Sequence, residues 1–482
     1  MTFPLTVFQL SEITKGVLTD SRTGQQRVTG GCIDSRIIEP GDCFFALAGH
    51  KAHGVLFADQ AVTRGAVCVV TDSANTAGNA ARAAPAMPSL ASLDTAETDG
   101  RIIRVADSVV ALQSLARWNR QQSGALVVGV TGSVGKTTTR QMITQVLEVR
   151  YSGVQSPHNY NNALGVPLSL LQLERGHDFA VLELAAGRIG DIKFLTDMVK
   201  PEFAVVTRVA ATHLESFGDL NAIRQAKMEL PAAVTTGGTV FLNADDPAVL
   251  SMSESASANI VLFGTSAAAG FRATSIHSQD GICQFKVDGQ LFQIQGGAHL
   301  VIGAAAAIAV GRIAGLSPSE IAQGLANYLP DAGRGRIVQR QPWTVIDESY
   351  NASPASVLAA VQTLNDCVSA RGRILVLGDM LELGSQASHF HREIGRALQN
   401  TQIDHALMYG DFADVVTAGA IDAGVSPNRL SVFRDIATLN IMLDCILTPG
   451  DVVLVKGSRS MHMERIITSL CKSASQLGRA AA

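Results

Sequence analysis

Short apolar runs alternate with helix-like segments along most of the chain, which is the pattern of parallel α/β folds. One of these runs, which begins at Val127, is β-branched and apolar, as in a strand buried on both faces. It passes through glycines into a helix-like segment that starts at Lys136. The rest of the chain is organised around this strand–turn–helix unit.

The predicted strands fall into three groups along the chain. We expect them at Cys43–Ala48, Ala66–Thr71 and Arg101–Val105; at Phe179–Leu184, Phe203–Thr207, Val240–Asn243 and Ile260–Gly264; and at Thr344–Ile346, Ile374–Leu377, Ala406–Tyr409, Leu430–Phe433 and Val452–Val455. This grouping predicts a small N-terminal α/β domain over 1–106, a central parallel-sheet domain over 107–332 and a C-terminal Rossmann-like, doubly wound domain over 333–482.

Residues 271–296 have a different pattern, in which polar and apolar residues alternate with period two. Turns are expected at Asp280–Gly281 and Asp288–Gly289, so the segment predicts an antiparallel meander whose first strand begins at Phe271. Two helices should follow. The second has serine at the N-cap, proline next and glutamate at the third position of Ser317–Glu320.

Composition narrows the class of protein. The chain has 482 residues, 47% of them hydrophobic and 17% charged, with a net charge of −4, so electrostatics favour neither nucleic acid nor an acidic membrane. The apolar stretch Leu300–Gly311 is shorter than the roughly 20 residues of a membrane span and predicts a buried helix. No secretory signal is visible, and the seven scattered cysteines suit a reduced, cytosolic protein. We expect 73–100 to form an exposed, mobile insertion.

The loop after the first central strand carries the chemistry expected of a nucleotide triphosphate site. Glycines let backbone N–H groups approach phosphates, and a helix N-terminus favours negative charge. A lysine would reach the outer phosphates and a threonine hydroxyl would contact Mg²⁺. Val130 stands where the full Walker pattern has glycine, so the alternative is a glycine turn that binds nothing. The loop residues are Gly132, Ser133, Gly135, Lys136, Thr137 and Thr138.

Further polar residues of the central part follow strands or the first helix. Glu183 lies at the end of a buried strand, where an acid can hold Mg²⁺ or cap the next helix. Asn161 and Asn162 belong to a polar loop that could contact substrate or serve only as a turn. His213 and Lys227 could bind a metal, although a single histidine or lysine is more often structural.

Three loops of the C-terminal part follow strand ends. They contain Asp347 with Asn351, Asp379, and the set Lys456, Ser458 and Arg459. The last loop is basic and carries hydroxyls, which suits a carboxylate or phosphate. A helix N-terminus capped by its own serines is the alternative.

Together these segments resemble the Mur ligases. The resemblance rests on motifs that occur in the family's order and span nearly the whole chain: Asp34–Arg36 with Pro40–Gly41, Thr131–Thr138, Asn161–Pro167, His213–Glu215, Asp347–Pro354, Gly378–Gly384 and Lys456–Ser460. The Ser-Tyr-Asn-Ala and Gly-Asp-Met-x-Glu-Leu-Gly elements resemble the member that adds a dipeptide.

The resemblance implies a three-domain bacterial, cytoplasmic, monomeric enzyme of peptidoglycan synthesis. The N-terminal domain would hold the UDP end of UDP-N-acetylmuramoyl-tripeptide, the central domain ATP and the C-terminal domain D-alanyl-D-alanine. ATP would phosphorylate the tripeptide carboxylate, and the dipeptide amine would displace phosphate. Catalysis of this kind needs positioned phosphates, Mg²⁺ and exclusion of water more than covalent side-chain chemistry.

The resemblance also implies residue roles. Lys136 would grip the β- and γ-phosphates, Thr137 and Glu183 would hold one Mg²⁺, and His213 would help to bind a second. Lys227 resembles the family lysine that is carbamylated and serves that second metal. Nucleotide contacts from the C-terminal side would come from Arg334 and Asp347. Substrate contacts would come from Ser35, Arg36, Asn161, Asn162, Asn351, Asp379, Lys456, Ser458 and Arg459.

The chain departs from the family pattern at four places. His299–Gly303 lacks the two asparagines of an adenine-side motif, Glu183–Gly187 lacks a glycine and an asparagine, Arg208 replaces an asparagine, and His53–Phe57 replaces Asp-Gly-His-Asp-Phe. Three alternatives follow: a Mur ligase that adds a single amino acid, a catalytically silent nucleotide-binding homologue, and a generic P-loop kinase. The kinase does not account for the α/β unit after residue 336.

Overall fold

The structure is a computed structural model that describes residues 1, 4–49, 52–72, 101–340, 342–368 and 370–480. The predicted insertion at 73–100 lies outside the described residues. By packing, the chain forms two compact units, which consist of Met1–Gly129, Tyr151–Ala185 and Ile192–Phe203, and of Val130–Arg150, Ala186–Asp191 and Ala204–Ala482.

The N-terminal part is a small α/β structure. Its strands are β1 (Leu5–Thr6), β2 (Val17–Leu18), β3 (Arg27–Val28), β4 (Gly30–Cys32), β5 (Asp42–Ala46), β6 (Cys68–Asp72) and β7 (Ile102–Val105), and its helices are α1 (Val7–Thr14), α2 (Ala58–Thr63) and α3 (Ser108–Gln122). One sheet has the order β2-β7-β6-β5-β4, parallel except at β2, and β1 pairs with β3. The three strands predicted here are confirmed.

The central sheet has the order β14-β13-β12-β11-β8-β10-β9. Its strands are β8 (Leu126–Thr131), β9 (Gly153–Gln155), β10 (Phe179–Glu183), β11 (Phe203–Val206), β12 (Thr239–Asn243), β13 (Asn259–Gly264) and β14 (Phe271–Arg272). The helices are α4 (Lys136–Leu147), α5 (Gly165–Leu171), α6 (Asp191–Val199), α7 (Leu214–Phe217), α8 (Leu220–Ala233) and α9 (Pro247–Leu250). The order runs to opposite sides from β8, so the loop after β8 lies at a topological switch point, where α/β sheets bind ligands.

The antiparallel extension is confirmed with one correction. Its strands are β15 (Thr274–Gln279), β16 (Ile282–Val287) and β17 (Gln290–Gln295). Phe271–Arg272, predicted as the start of the meander, instead pairs in parallel with β13 at the edge of the central sheet. The two-residue strand is too short for its periodicity to distinguish the two sheets.

Two helices, α10 (Val301–Ile313) and α11 (Pro318–Ala326), follow the meander as predicted. Most of α10 is buried, and Ser317 and Glu320 form the expected capping box at the start of α11. In the part of the chain that the structure describes, no helix is long and apolar enough to cross a membrane.

The C-terminal part is a six-stranded doubly wound sheet of order β18-β19-β23-β20-β21-β22. Its strands are β18 (Arg336–Arg340), β19 (Trp343–Glu348), β20 (Arg373–Gly378), β21 (His405–Tyr409), β22 (Leu430–Phe433) and β23 (Val452–Lys456). Its helices are α12 (Pro354–Asn365), α13 (Ala387–Ala397), α14 (Ala413–Asp422), α15 (Ile436–Ile446) and α16 (Glu464–Ala480). All pairs are parallel except β18–β19. The five predicted strands are confirmed, and β18 is an addition.

Alternate residues of the C-terminal strands enter two separate hydrophobic clusters. Leu375 and Leu377 belong to one cluster, and Ile374 and Val376 to the other. Both faces of the sheet are therefore covered, which is why its strands are continuous apolar runs in the sequence.

Candidate functional site

The phosphate loop joins β8 to α4, as the sequence predicted. Gly132 has φ 147° and Gly135, the N-cap of α4, has φ 86°. A side chain at Gly132 would overlap the Thr207 hydroxyl and lie 3.0 Å from the Arg208 amide nitrogen. Glycine is therefore required on both conformational and steric grounds. The loop presents the N-terminus of a twelve-residue helix, a favourable position for phosphate.

Contacts with the segment after β11 fix the loop. The Ser133 amide donates to the Arg208 carbonyl at 2.6 Å, and the Ser133 hydroxyl donates to the Ala210 carbonyl at 3.0 Å. The Lys136 ammonium donates to the carbonyls of Gly132 and Ser133 at 2.8 and 3.2 Å. The lysine thus lies folded over its own loop, where an arriving phosphate would compete for its protons.

The threonines at the start of α4 have different exposures. Thr137 is buried, with 3% of its surface exposed, whereas Thr138 is only partly buried. A buried hydroxyl beside a phosphate loop can serve as a ligand to a cation that a nucleotide brings with it.

Glu183 is the last residue of β10 and is 2% exposed. The Asn161 side-chain amide donates to its carboxylate at 2.9 Å, and the Glu183 amide donates to the Ser156 hydroxyl at 3.0 Å. Asn162 has a local role, since its side-chain oxygen accepts from the amides at the start of α5. Asn161 therefore orients a buried carboxylate, whereas Asn162 caps a helix.

His213 lies just before helix α7, and Lys227 lies in the next helix, α8. His213 precedes α7 with φ 53°, and its Nδ1 pairs with the carboxylate of Glu382, a residue that sequence reasoning did not single out. Lys227 lies in α8 at 4% exposure, and its ammonium is 6.0 Å from the centre of the Phe217 ring.

The chemistry of the donor set limits the kind of metal site that the predicted ligands can form. Among the described residues, no group of three or more His, Cys, Asp or Glu side chains is arranged to hold a metal ion. A nucleotide-associated Mg²⁺ does not need such a cage, because phosphates and water supply most of its ligands and the protein adds one or two groups. Taken one at a time, the buried Thr137 hydroxyl and the buried, oriented Glu183 carboxylate each have the chemistry of such a group.

Asp347 organises the turn that carries Arg334. Its carboxylate accepts from the Gly333 amide at 2.7 Å and from the Ser349 hydroxyl at 2.6 Å. The Arg334 guanidinium carbon lies 3.8 Å from the centre of the Tyr350 ring, and that of Arg459 lies 5.6 Å from it. Tyr350, which was not among the predicted site residues, therefore connects two predicted ligand-binding arginines.

Lys456 and Asn351 are held within the fold. Lys456 is 2% exposed, and its ammonium donates to Glu348 at 3.0 Å and to the Asn351 carbonyl at 2.9 Å. The Asn351 side-chain oxygen accepts from the amide of the next residue. The ammonium thus connects the ends of β19 and β23.

Asp379 supports the loop after β21, and Ser458 supports the loop after β20. The Asp379 carboxylate accepts from the Asp411 and Phe412 amides at 2.7 and 3.1 Å, and burial raises its pKa. The Ser458 hydroxyl accepts from the Leu381 amide at 2.8 Å. Both side chains therefore stabilise loop backbone in this structure.

Ser35 and Arg36 lie beside the N-terminal sheet. The Ser35 hydroxyl donates to Gln60 at 2.6 Å, and Arg36 makes two bonds to Asp34, at 2.9 and 2.7 Å. Those bonds lower the pKa of Asp34 to about 2. The Arg36 side chain is 78% exposed and faces solvent.

Comparison with known proteins gives matches over most of the chain. The family model described as Mur ligase family, catalytic domain, matches residues 27–118, the Mur ligase middle domain matches 130–311, and the Mur ligase glutamate ligase domain matches 333–459. The chain has two compact units when it is divided by packing, and three family segments when it is divided by sequence similarity.

Curated relatives and solved structures agree with these matches. The chain is 30% identical to a Bacillus subtilis UDP-N-acetylmuramoyl-tripeptide–D-alanyl-D-alanine ligase, covering 97% of this chain and 98% of the relative. It is 32% identical to the Escherichia coli protein of the same name, with the same coverage. The structure of MurF from Acinetobacter baumannii is similar with a TM-score of 0.83, 28% identity and coverage of 98% and 99%. The MurF ligase of Thermotoga maritima, solved with ADP, has a TM-score of 0.76, 26% identity and coverage of 93% and 98%.

Proposed function

Since this chain belongs to the Mur ligase family, we infer that it joins D-alanyl-D-alanine to UDP-N-acetylmuramoyl-tripeptide at the expense of ATP. The observation that carries this function is similarity over nearly the full length to ligases named for that reaction, together with a phosphate loop that has its glycines, lysine and threonine at the switch point of the central sheet.

The reaction has two steps. The terminal carboxylate of the tripeptide attacks the γ-phosphorus of ATP, which forms an acyl phosphate and releases ADP. The dipeptide amine then attacks the acyl carbon, loses a proton and displaces inorganic phosphate, leaving an amide bond. Developing negative charge on the transferred phosphoryl group requires fixed cationic and N–H donors. Lys136 and the backbone of Gly132–Gly135 would supply them.

Metal binding is assigned to residues whose chemistry fits it. Mg²⁺ would neutralise phosphate charge, with Thr137 and Glu183 as its protein ligands. His213 would contribute to a second ion. Lys227 would be a ligand of that second ion only as a carbamate. A lysine cation cannot coordinate a metal, whereas its carbamate carries a carboxylate-like group.

The substrate contacts follow the three domains, which we place at 1–106, 107–332 and 333–482. Ser35 and Arg36 would contact the UDP moiety. Arg334 and Asp347 would contact ATP from the C-terminal domain. The exposed guanidinium of Arg459 suits the dipeptide carboxylate. The loops that would surround the dipeptide are held by other predicted residues, namely Lys456, Asn351, Asp379 and Ser458.

The test is phosphate release from ATP, with UDP-N-acetylmuramoyl-tripeptide and D-alanyl-D-alanine supplied separately and together. Release that needs both substrates and is lost in Lys136→Ala is the expected result. Arg312→Ala, a charge change at the far end of a helix, is the matched control and should leave release unchanged.

Two other outcomes would overturn the dipeptide assignment. Release with a single amino acid in place of the dipeptide would identify a Mur ligase of another specificity. Nucleotide binding without release in any combination would identify a silent homologue, for which the changed residues at His299–Gly303 would then be the reason.

A further inference from the structure

We propose that Glu382 is a positioning residue for His213, which fixes the imidazole so that its Nε2 atom is presented to a cation. The proposal rests on the proposed function, because the cation is the one that His213 would help to bind. It begins from the pairing of the Glu382 carboxylate with His213 Nδ1.

Both residues of the pair have an uncommon backbone conformation. His213 has φ 53° and Glu382 has φ 62°, in a region that residues other than glycine rarely adopt. Such conformations persist where surrounding structure holds them and are concentrated at functional sites. The Glu215 amide also donates to the Glu382 carbonyl at 3.4 Å, so the two segments meet through backbone as well as side chains.

The segment Asp379–Gly384, which we call the Glu382 loop, is held firmly on its other side. The His391 Nε2 atom accepts from the Met380 amide at 2.9 Å, and the Ser458 hydroxyl accepts from the Leu381 amide. Met380 and Leu383 are buried. Glu382 is thus an exposed carboxylate on an anchored loop, since its side chain is 58% exposed.

The chemistry of the pair sets the tautomer of His213. An ionised carboxylate can only accept hydrogen bonds, so a neutral imidazole must donate from Nδ1, which leaves the lone pair on Nε2. No hydrogen bond to Nε2 is formed by any residue that the structure describes. Carboxylates that hold the second nitrogen of a metal-binding histidine fix its orientation and raise its basicity.

This arrangement gives the Glu382 loop a role in the central site. The loop follows β20 of the C-terminal sheet, whereas His213 follows β11 of the central sheet. The orientation of the histidine therefore depends on a segment of the domain that we assign to the dipeptide.

The test compares Glu382→Ala and Glu382→Gln with the wild-type protein. Protein labelled with ¹⁵N-histidine reports the tautomer, and the His213 signal is assigned by its loss in His213→Gln. Electron paramagnetic resonance measures the affinity of the ADP-bound protein for Mn²⁺. We expect the wild type to carry the proton on Nδ1, and Glu382→Ala to lose that preference and to bind Mn²⁺ about tenfold more weakly or worse.

Glu382→Gln is the conservative variant, because its amide oxygen can still accept from Nδ1. It should keep the tautomer and most of the affinity. Glu393→Ala, which removes an exposed carboxylate paired with Arg396 on α13, should change neither readout. An unchanged tautomer or an unchanged or tighter Mn²⁺ affinity in Glu382→Ala would overturn the proposal, since a simple surface ion pair or a competitor for His213 gives those results.

Phosphate release by the same proteins separates this inference from the proposed function. If the wild-type protein shows no substrate-dependent phosphate release but Glu382 still sets the His213 tautomer, only the ligase assignment is wrong. If the wild-type protein shows full phosphate release but Glu382→Ala leaves the tautomer and the Mn²⁺ affinity unchanged, only the proposed role of Glu382 is wrong.

Discussion

The buried ion pair between Lys456 and Glu348 shows how a residue predicted to bind substrate also supports the fold. Replacing Lys456 by methionine keeps the apolar stem but leaves a carboxylate of 14% exposure uncompensated and the Asn351 carbonyl without its donor. Breaking one side of a buried pair costs about 3–5 kcal/mol. Because Glu348 retains some exposure, we expect Lys456→Met to lower the free energy of unfolding by about 3 kcal/mol.

Tryptophan fluorescence can measure this loss in the C-terminal domain. The chain has two tryptophans, and Trp343 lies in a core cluster of the C-terminal sheet, so urea unfolding in a Trp118→Phe background follows that domain. Arg396→Ala, which removes an exposed i,i+3 ion pair, should cost less than about 1 kcal/mol. Equal losses in the two variants would mean that the Lys456 ammonium is solvated and free to bind substrate.

At the scale of single residues, sequence motifs predicted which segments contain site residues. They predicted less well which partner each residue contacts. Glu382 and Tyr350 lay inside the quoted Gly378–Gly384 and Asp347–Pro354 segments, yet neither was selected. His213 lies 169 residues from Glu382, and Arg334 lies several helical turns' worth of sequence before Tyr350, so neither pair falls within the range of a local sequence pattern. Local roles such as the Ser317 cap were predictable because both partners lie within one turn.

At the scale of elements, helices α13 and α14 pack through glycines. A side chain at Gly395 would overlap the Val416 carbonyl and lie 2.8 Å from the Ala420 amide, and one at Gly419 would overlap the Arg392 carbonyl. Alanine is favoured over glycine in a helix by about 1 kcal/mol, whereas overpacking costs about 1–3 kcal/mol. Because the contacted atoms belong to the backbone and cannot rotate away, we expect the cost of the clash to exceed the gain in helix propensity.

Gly395→Ala should therefore destabilise the C-terminal domain by about 2 kcal/mol, measured by the Trp343 fluorescence described above. Arg396→Ala adds alanine one position along, at an exposed site of the same helix, and controls for helix propensity. A gain in stability in Gly395→Ala would show that the two helices can separate without loss of packing.

The strands were the most predictable elements, because buried parallel strands are continuous apolar runs with sharp ends. The strand prediction failed where pairing with a distant strand decides which sheet a segment joins. Phe271–Arg272 joins the parallel sheet, although the residues after it alternate like a hairpin. Strand β18 was missed because Arg336–Arg340 is a mixed segment at the sheet edge, and only its antiparallel pairing with β19 defines it as a strand.

At the scale of the whole molecule, the order of motifs was enough to predict three α/β domains and the ligase chemistry, whereas the exact domain boundaries stay a prediction. The reason is that each domain has its own hydrophobic pattern, but a boundary depends on which loop residues pack on either side. The separate clusters around Phe44 and around Leu375 illustrate that the N- and C-terminal domains have their own cores.

The proposed nucleotide contacts make a prediction about how these cores unfold. A ligand that binds only the folded state stabilises the residues that hold it, by about 2.7 kcal/mol at a concentration of 100 times Kd. If Lys136 in the central domain and Arg334 in the C-terminal domain both contact ATP, the nucleotide should raise the unfolding temperatures of both domains. Multidomain chains commonly unfold in more than one step, so the two effects can be resolved.

We expect calorimetry to show the rise for the central domain and Trp343 fluorescence to show it for the C-terminal domain. Lys136→Ala should abolish both shifts, because the nucleotide no longer binds. Arg334→Ala should keep the central shift and lose most of the C-terminal one. A Trp343 transition that ATP does not move in the wild type would contradict the C-terminal contact, and the nucleotide would then be held by the central domain alone.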